Sequence, residues 1–341
     1  MASEARFRNK ITWFSFLFSI FVVWVHSANG ELFLGQSPYV DRVVGFQRFL
    51  GNTVGQIAVP GFFLMSGYLF YRNFTWGRLG EKWGSRIRSL LVPFLVWNSI
   101  YYLGYVIGSR LPWVTVIMGK GKIPFGWYAA VDAVLHYTYN YVFWYLYQLI
   151  LLTVLAPALF WILGRKALGI AGLFALLYFV QKGAVIPYLN LDALFYYGVG
   201  AWGGIYGKKW VEGQWSCGRA LSGMGLWILA VALFVSPWPA GIADRVYFRL
   251  LAPIGLWLFI DEGRLPLARP WMRYNFFLYT VHFALVRLVN KTMARILWGY
   301  WPAPVVLFLV MPMLMVWFSN KAGSWMRRHM PVMWQLLNGG R

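Results

Sequence analysis

The sequence predicts an all-α membrane protein, a polytopic bundle of about ten transmembrane helices with both termini in the cytoplasm. Of the 341 residues, 60% are hydrophobic and 12% are charged, whereas soluble domains carry about 25% charged residues. Apolar runs long enough to cross a bilayer recur along the whole chain without a short repeat. Basic residues lie at the edges of these runs, as they do in membrane proteins. An ordinary soluble enzyme and a disordered chain are therefore excluded.

The predicted spans follow apolar stretches that are bounded by charge, proline or glycine. They cover residues 11–28, 54–71, 89–108, 141–163, 167–180, 187–207, 220–235, 246–260, 274–289 and 300–319. The fifth, sixth and eighth are short or carry Asp192 or Arg249, so eight or eleven spans are also compatible with the pattern. We predict one integral-membrane domain over residues 1–341, with a cytoplasmic interfacial tail at 320–341.

The distribution of basic residues predicts the orientation. With a cytoplasmic N-terminus, 20 of the 31 lysines and arginines fall in inner segments, as the positive-inside tendency requires. We therefore interpret the net charge of +21 as a signal of membrane orientation rather than of nucleic-acid binding. The first span, followed by Ala28 and Gly30, also has features of a signal peptide, but we expect it to be retained because the charge distribution is consistent with it. The single Cys217 excludes an internal disulfide.

No metal-ligand spacing, phosphate-binding loop or nucleophile elbow occurs in the sequence, and we predict no metal. Ionisable residues at membrane depth are then the candidates, because they are costly there. His26 lies sixteen residues beyond Lys10, about 24 Å along a helix and toward the outer leaflet. Neutral imidazole accepts a proton from a hydroxyl near physiological pH, so His26 is a candidate general base. A histidine that only reaches interfacial water fits the same position.

Two further groups have a functional and a plainer interpretation. His282 lies eight residues into the ninth span, about 12 Å from its inner end. The plainer interpretation is that it forms a structural hydrogen bond to a neighbouring helix. Lys82, Arg86 and Arg88 precede the third span on the predicted inner side. They can bind phosphates, arginine in a bidentate manner, or anchor the chain beside anionic lipids.

Four segments together resemble the membrane-bound acyltransferase-3 family, whose members include bacterial O-acetyltransferases of surface polysaccharides. They are VPGFFLMSGYLF at 59–70, RIRSLLVPFLVW at 86–97, FWYLYQLILLTVLAPAL at 143–159 and FFLYTVHFAL at 276–285. In that family the first helix carries an arginine or lysine, ten further residues and then a histidine regarded as the catalytic base. His26 is the matching histidine, but Ser15 stands at the basic position. Val142 also replaces the family's usual histidine before the tryptophan of the fourth helix.

The resemblance implies an acyltransferase for groups other than aminoacyl groups. It implies acetyl-CoA, or another acyl-CoA, as donor substrate rather than bound cofactor, and a hydroxyl of a cell-envelope glycan or glycolipid as acceptor. The lipid bilayer is the expected surrounding, in a bacterial inner membrane, with no nucleic-acid partner. By resemblance His26 is the catalytic base, and Arg86, Arg88 and Lys82 bind the acyl-CoA. We expect a supporting group near the base, consisting of His282, Ser66 and Tyr279.

The serine at position 15 leaves two alternatives open. One is a transporter or flippase for a polar lipid-linked molecule, which His282 at membrane depth also favours. Interrupted helices lining a cavity are the structural expectation for such a protein, and Pro302, Pro304 and Pro312 are the residues able to interrupt one. The other alternative is a member of the family that has lost catalysis.

Overall fold

The computed structural model describes residues 2–112, 114–115, 121–235 and 242–340. Of the described residues, 81% are helical, and the same ranges contain no strand, only an isolated bridge between Ile186 and Leu189. The prediction of an all-α fold is confirmed.

The described α-helices are numbered here in chain order. They are α1 (Ala2–His26), α2 (Gly30–Leu34), α3 (Val40–Arg48), α4 (Ala58–Tyr71), α5 (Leu79–Arg86), α6 (Val92–Gly108), α7 (Trp127–Leu135), α8 (Trp144–Val154), α9 (Ala156–Leu163), α10 (Lys166–Gln181), α11 (Leu191–Tyr206), α12 (Lys208–Glu212), α13 (Cys217–Val235), α14 (Ile242–Phe259), α15 (Asn275–Ile296), α16 (Pro302–His329) and α17 (Pro331–Asn338).

Within the described ranges, 5 helical stretches are long and apolar enough to cross a membrane, or up to 6 if a bent pair counts as one span. The five are Ser3–Leu34, Val40–Tyr71, Trp76–Gly108, Cys217–Val235 and Pro302–His329. The other predicted spans are helices as well, but α10 and α11 have only 16 residues each. The α15 helix is longer than predicted and carries Arg287, Lys291 and Arg295. Ten spans are therefore not confirmed, and the side of the termini stays a prediction.

The fourth predicted span is bent rather than straight. Helices α8 and α9 meet at Leu155 with an angle of 65° between them. Pro157 lies in the first turn of α9, where it lacks the N–H that would continue the helix and its ring crowds the carbonyl four residues earlier. The bend follows from this local rule.

Two compact units make up the chain. Unit 1 consists of Met1–Phe18, Gln56–Trp83 and Gln148–Arg273, and unit 2 of Ser19–Gly55, Gly84–Tyr147 and Tyr274–Arg341. Helix α1 therefore contributes its first part to unit 1 and its last two turns to unit 2.

Glycines allow two helices of unit 1 to pack backbone to backbone. A Cβ added to Gly67 of α4 would lie 2.1 Å from the Tyr197 carbonyl oxygen, and one added to Gly200 of α11 would lie 2.1 Å from the Leu64 carbonyl oxygen. At Gly204 the nearest atom would be the Tyr68 carbonyl oxygen at 2.7 Å. Small residues at such contacts are typical of helices that associate in lipid. There the hydrophobic effect contributes little to helix association, and close packing matters more.

In unit 2 the last turns of α1 pack beside α15 and α16. Their shared core consists of Val23, Leu278, Val286, Met311 and Met315, all nearly inaccessible. Because α1 ends three residues after Val23, this core determines where the end of the helix lies.

The predicted tail beyond residue 319 is helical in the structure. Helix α16 continues to His329, and α17 follows after Met330. Trp334 and Leu337 of α17 are buried, and the Trp97 indole of α6 donates a hydrogen bond to the Leu337 carbonyl oxygen at 2.9 Å. The segment 331–338 is thus packed against α6 within unit 2.

We predict that Gly200→Ala lowers the free energy of unfolding by about 1–3 kcal/mol, because the added methyl group meets the backbone of α4 rather than a movable side chain. Thermal unfolding of the purified chain in detergent measures the effect. Gly225→Ala in α13 is the matched control, since nothing lies within 4 Å of its added Cβ, and its stability should stay equal or rise slightly. Equal losses in both variants would contradict the packing account.

Candidate functional site

His26 is the last residue of α1 and is half-buried. Its Nδ1 lies 2.9 Å from the hydroxyl oxygen of Tyr141, within hydrogen-bond distance. Tyr141 is 48% exposed, so the bonded pair is only partly enclosed. The imidazole is therefore held by a specific partner without being sealed off inside unit 2.

Three rings surround this imidazole. Phe283 meets Tyr141 edge to face at 4.6 Å between ring centres and meets His26 in the same way at 5.6 Å. The ring of His282 lies 5.4 Å from that of His26. Edge-to-face contacts favour defined ring orientations, so this aromatic cluster limits the rotation of the His26 side chain.

His282 has a defined protonation pattern because of its hydrogen bond. It is fully buried, and its Nδ1 lies 2.7 Å from the carbonyl oxygen of Tyr279. A carbonyl oxygen only accepts, so Nδ1 carries the hydrogen and the neutral ring has its lone pair on Nε2. That Nε2 has no hydrogen-bond partner among the described residues.

Asn140 adds a second unsatisfied polar group next to Tyr141. The residue is fully buried, and neither atom of its side-chain amide has a partner in the described part of the chain. Most buried polar atoms in proteins are hydrogen-bonded, so the exceptions call for an explanation. These two exceptions adjoin the His26–Tyr141 pair: Asn140 precedes Tyr141 in sequence, and the ring of His282 packs beside that of His26.

A buried polar network fixes the chain directly after His26. The side-chain amide oxygen (Oε1) of Gln47 accepts hydrogen bonds from the backbone N–H groups of Asn29 and Gly30, both at 3.0 Å. The Asn29 amide donates to the side-chain oxygen of Asn290 at 3.0 Å, and the Asn290 amide donates to the Ser27 carbonyl oxygen at 3.2 Å. We call Ser27, Asn29, Gln47 and Asn290 the polar clamp; all four are buried. Gln47 thereby satisfies N–H groups at the start of α2, which the N-terminus of a helix leaves without partners.

The structure brings three of the predicted site residues together in unit 2, namely His26, His282 and Tyr279. The Tyr279 hydroxyl donates to the Val142 carbonyl oxygen at 2.8 Å, and its ring stacks on Phe143 at 5.6 Å. Tyr279 is thus held at both ends of its side chain, while its backbone carbonyl binds His282. Its supporting role near the base stays a prediction.

The predicted donor-binding residues occupy different units. Arg86 ends α5 and is half-buried, and Arg88 is exposed in the segment 87–91 before α6; both belong to unit 2. Lys82 belongs to unit 1, where its ammonium donates to the Phe70 carbonyl oxygen at 2.5 Å and lies over the Phe70 ring. It therefore caps the last turn of α4. Ser66, also in unit 1, is half-buried on α4 beside the tightly packed Gly67.

Lys10 does not replace the basic residue that is missing at Ser15. Its side chain is almost fully buried in unit 1, and its Nζ donates to the Ile260 carbonyl oxygen at 2.7 Å and to Glu262 at 3.3 Å. A buried ammonium that is paired in this way stabilises the structure through its own partners. Lys10 is therefore a structural anchor.

An apolar cavity of about 320 Å³ lies within unit 1. It is lined by residues such as Phe14, Met65 and Trp257. No histidine or carboxylate lines it, so it offers room for apolar groups but no general base. Among the described residues, no group of three or more His, Cys, Asp or Glu is arranged to hold a metal ion.

Sequence reasoning missed Tyr141 and the polar clamp. The Tyr141–His26 contact joins residues 115 positions apart, and the Asn29–Asn290 contact joins residues 261 positions apart. No local signal pointed to the clamp, because Gln47 and Asn290 lie outside the predicted spans 54–71 and 274–289.

The chain was compared with known proteins and families. No curated protein and no solved structure matches it. The profile of the acyltransferase-3 family, described as an acyltransferase domain, matches residues 9–319. This range contains His26, Tyr141, His282 and the whole polar clamp, and it confirms the resemblance drawn from the four sequence segments. The chain therefore belongs to the membrane acyltransferase-3 family.

Proposed function

We propose that the protein is an integral-membrane O-acyltransferase with His26 as its general base. It moves an acyl group, acetyl in the simplest case, from acyl-CoA to a hydroxyl of a cell-envelope glycan or glycolipid. The observation that carries this proposal is the His26–Tyr141 pair, a half-buried imidazole oriented by a partly exposed phenol. Membership of the family supports acyl transfer as the reaction.

The hydrogen bond to Tyr141 suits His26 to proton transfer. When Nδ1–H donates to the Tyr141 oxygen, Nε2 carries the lone pair. Nε2 removes the proton of the acceptor hydroxyl while that oxygen attacks the thioester carbonyl carbon. The tetrahedral intermediate then collapses, the carbon–sulfur bond breaks, and the leaving thiolate takes the proton back from Nε2. The Tyr141 oxygen stabilises the transient imidazolium by accepting its Nδ1–H.

The surroundings of His26 favour transfer over hydrolysis. Phe283 and the fully buried His282 lie against the imidazole, and their rings occupy space in which water would otherwise stand. Excluding water protects a reactive thioester. His282 is a positioning residue in this scheme, since its own Nδ1 is engaged by the Tyr279 carbonyl.

Arg86 and Arg88 are the proposed binding residues for the donor's phosphates. Arg88 is exposed and Arg86 half-buried, and planar guanidinium groups match phosphate oxygens in pairs. The predicted orientation, in a bacterial inner membrane, puts this segment on the side that holds acyl-CoA. Lys82 donates to the Phe70 carbonyl, and in the proposal it adds positive charge.

The transporter alternative receives no support from the prolines on which it was based. Its structural expectation was an interrupted helix at Pro302, Pro304 or Pro312, but α16 begins at Pro302 and continues without a break through the other two. A member of the family without catalysis is the remaining alternative, and it predicts that the unmodified chain neither releases CoA from acetyl-CoA nor transfers the acyl group.

We predict that His26→Ala lowers the rate of acyl transfer about 10²–10⁴-fold, the usual contribution of a general base. CoA release from acetyl-CoA by the chain in lipid nanodiscs measures the rate. His136→Ala is the matched control, because His136 is exposed on the surface of unit 2 and bonds only to nearby Asp132. Full activity of the His26 variant would rule out this mechanism.

We predict that Tyr141→Phe lowers kcat about tenfold, with little change in the KM for acetyl-CoA, because one hydrogen bond to the imidazolium is lost. The ring remains, so its contacts with Phe283 and His26 are preserved. Tyr128→Phe, at a residue that is 90% exposed, controls for the loss of a phenol on the surface. A change confined to KM would show that Tyr141 serves binding rather than the proton transfer.

A further inference from the structure

Arg287 lies on α15, five residues after His282, and it adjoins the proposed site. Its guanidinium carbon is 5.3 Å from the centre of the Phe283 ring. The same ring contacts both His26 and Tyr141 edge to face. The charge of Arg287 also acts electrostatically on the Tyr141 hydroxyl. The guanidinium and the base are thus held against one shared ring.

The guanidinium of Arg287 has no acidic partner. The residue is exposed, and no carboxylate in the described part of the chain forms an ion pair with it. Arg48, by contrast, pairs with Glu31 at 3.3 Å in the same unit. A guanidinium presents five N–H donors in a planar fork that matches a carboxylate or phosphate. Contact with an aromatic face leaves the outer edge of that fork open to a ligand.

The neighbouring sequence carries an excess of positive charge. Segments 27–55 and 284–300 together contain five lysines and arginines but only two carboxylates. In the predicted orientation these segments lie on the outer side, where the positive-inside tendency favours few bases. The positive-inside tendency therefore does not explain these basic residues. Attraction of an anionic substrate does explain them.

We propose that Arg287 binds an anionic group of the acceptor, a carboxylate or phosphate on its sugar, while a nearby hydroxyl of the same molecule reaches His26. The inference rests on the proposed function and narrows its acceptor class to acidic glycans or glycolipids. Arg287 then determines specificity, and it takes no part in the bond changes at the thioester.

The experiment uses the full chain in phosphatidylcholine nanodiscs with acetyl-CoA as donor. The acceptors are p-nitrophenyl β-D-glucoside, the corresponding glucuronide and the corresponding glucoside 6-phosphate. Acetylated products are quantified by mass spectrometry, and binding of each glycoside is measured separately by titration calorimetry. Arg287→Ala and Arg287→Lys are compared with the unmodified chain and with Arg328→Ala, a control at an exposed arginine near the end of α16 in the same unit. Size-exclusion profiles establish that each variant is folded.

The unmodified chain should prefer at least one anionic glycoside over the glucoside by about tenfold or more in kcat/KM, the usual effect of a charge-assisted hydrogen bond. Arg287→Ala should bring that ratio near one, Arg287→Lys should keep part of it, and Arg328→Ala should keep it whole. The carboxylate and phosphate glycosides show which anion is preferred.

Three results would overturn the inference. The first is a preference that survives in Arg287→Ala, and the second is an equal loss for charged and neutral glycosides. The third is a preference that disappears only when phosphatidylglycerol is added, since a lipid phosphate would then be the natural ligand of Arg287. If no acceptor is acetylated and His26→Ala behaves as the unmodified chain, the proposed function fails instead. Calorimetry still decides the role of Arg287 in that case, because equal binding of all three glycosides contradicts it.

Discussion

The burial of backbone groups at the end of α1 is the constraint on which the site depends. The N–H groups of Asn29 and Gly30 lie just past the helix end, and one amide oxygen, that of Gln47, accepts both. These are the N-cap and first residue of α2, and a buried N–H without a partner costs about 1–3 kcal/mol, so Gln47 stabilises the turn from α1 into α2. Gly55 brings the following helical segment against Val25 and the Phe21 carbonyl. The clamp and this contact together determine where His26 lies relative to Tyr141.

The two imidazoles, His26 and His282, have different surroundings, which suit them to different roles in the proposed mechanism. His26 is half-buried and bonds to a phenol, which can donate or accept and thus tolerates a change of protonation on the ring. His282 is fully buried and bonds to a carbonyl, which tolerates only Nδ1–H. The first arrangement suits a group that gains and loses a proton, and the second suits a ring that holds its neighbour in position.

Local sequence predicted much of the fold and only part of the site. Apolar runs predicted the helices well, since each predicted span coincides with a helix or a bent pair. The count of ten spans stays a prediction, because α10 and α11, with 16 residues each, cannot be distinguished from packed helices by hydropathy alone. The bend at Pro157 could have been predicted from the sequence, because proline interrupts the hydrogen bonding of a helix. His26 and His282 were found because ionisable groups are rare at membrane depth, whereas Tyr141 looks like any other aromatic residue until the fold brings it to His26.

Chemical rescue tests most directly whether the His26 imidazole is the group that moves the proton. His26→Gly leaves space where the ring was, and free imidazole added to the nanodisc assay can occupy it. The account predicts that imidazole restores acyl transfer in this variant in proportion to its concentration, with no gain in His136→Gly. A His26→Gly variant that stays inactive at every imidazole concentration while still binding acetyl-CoA, or that is fully active without imidazole, would contradict it.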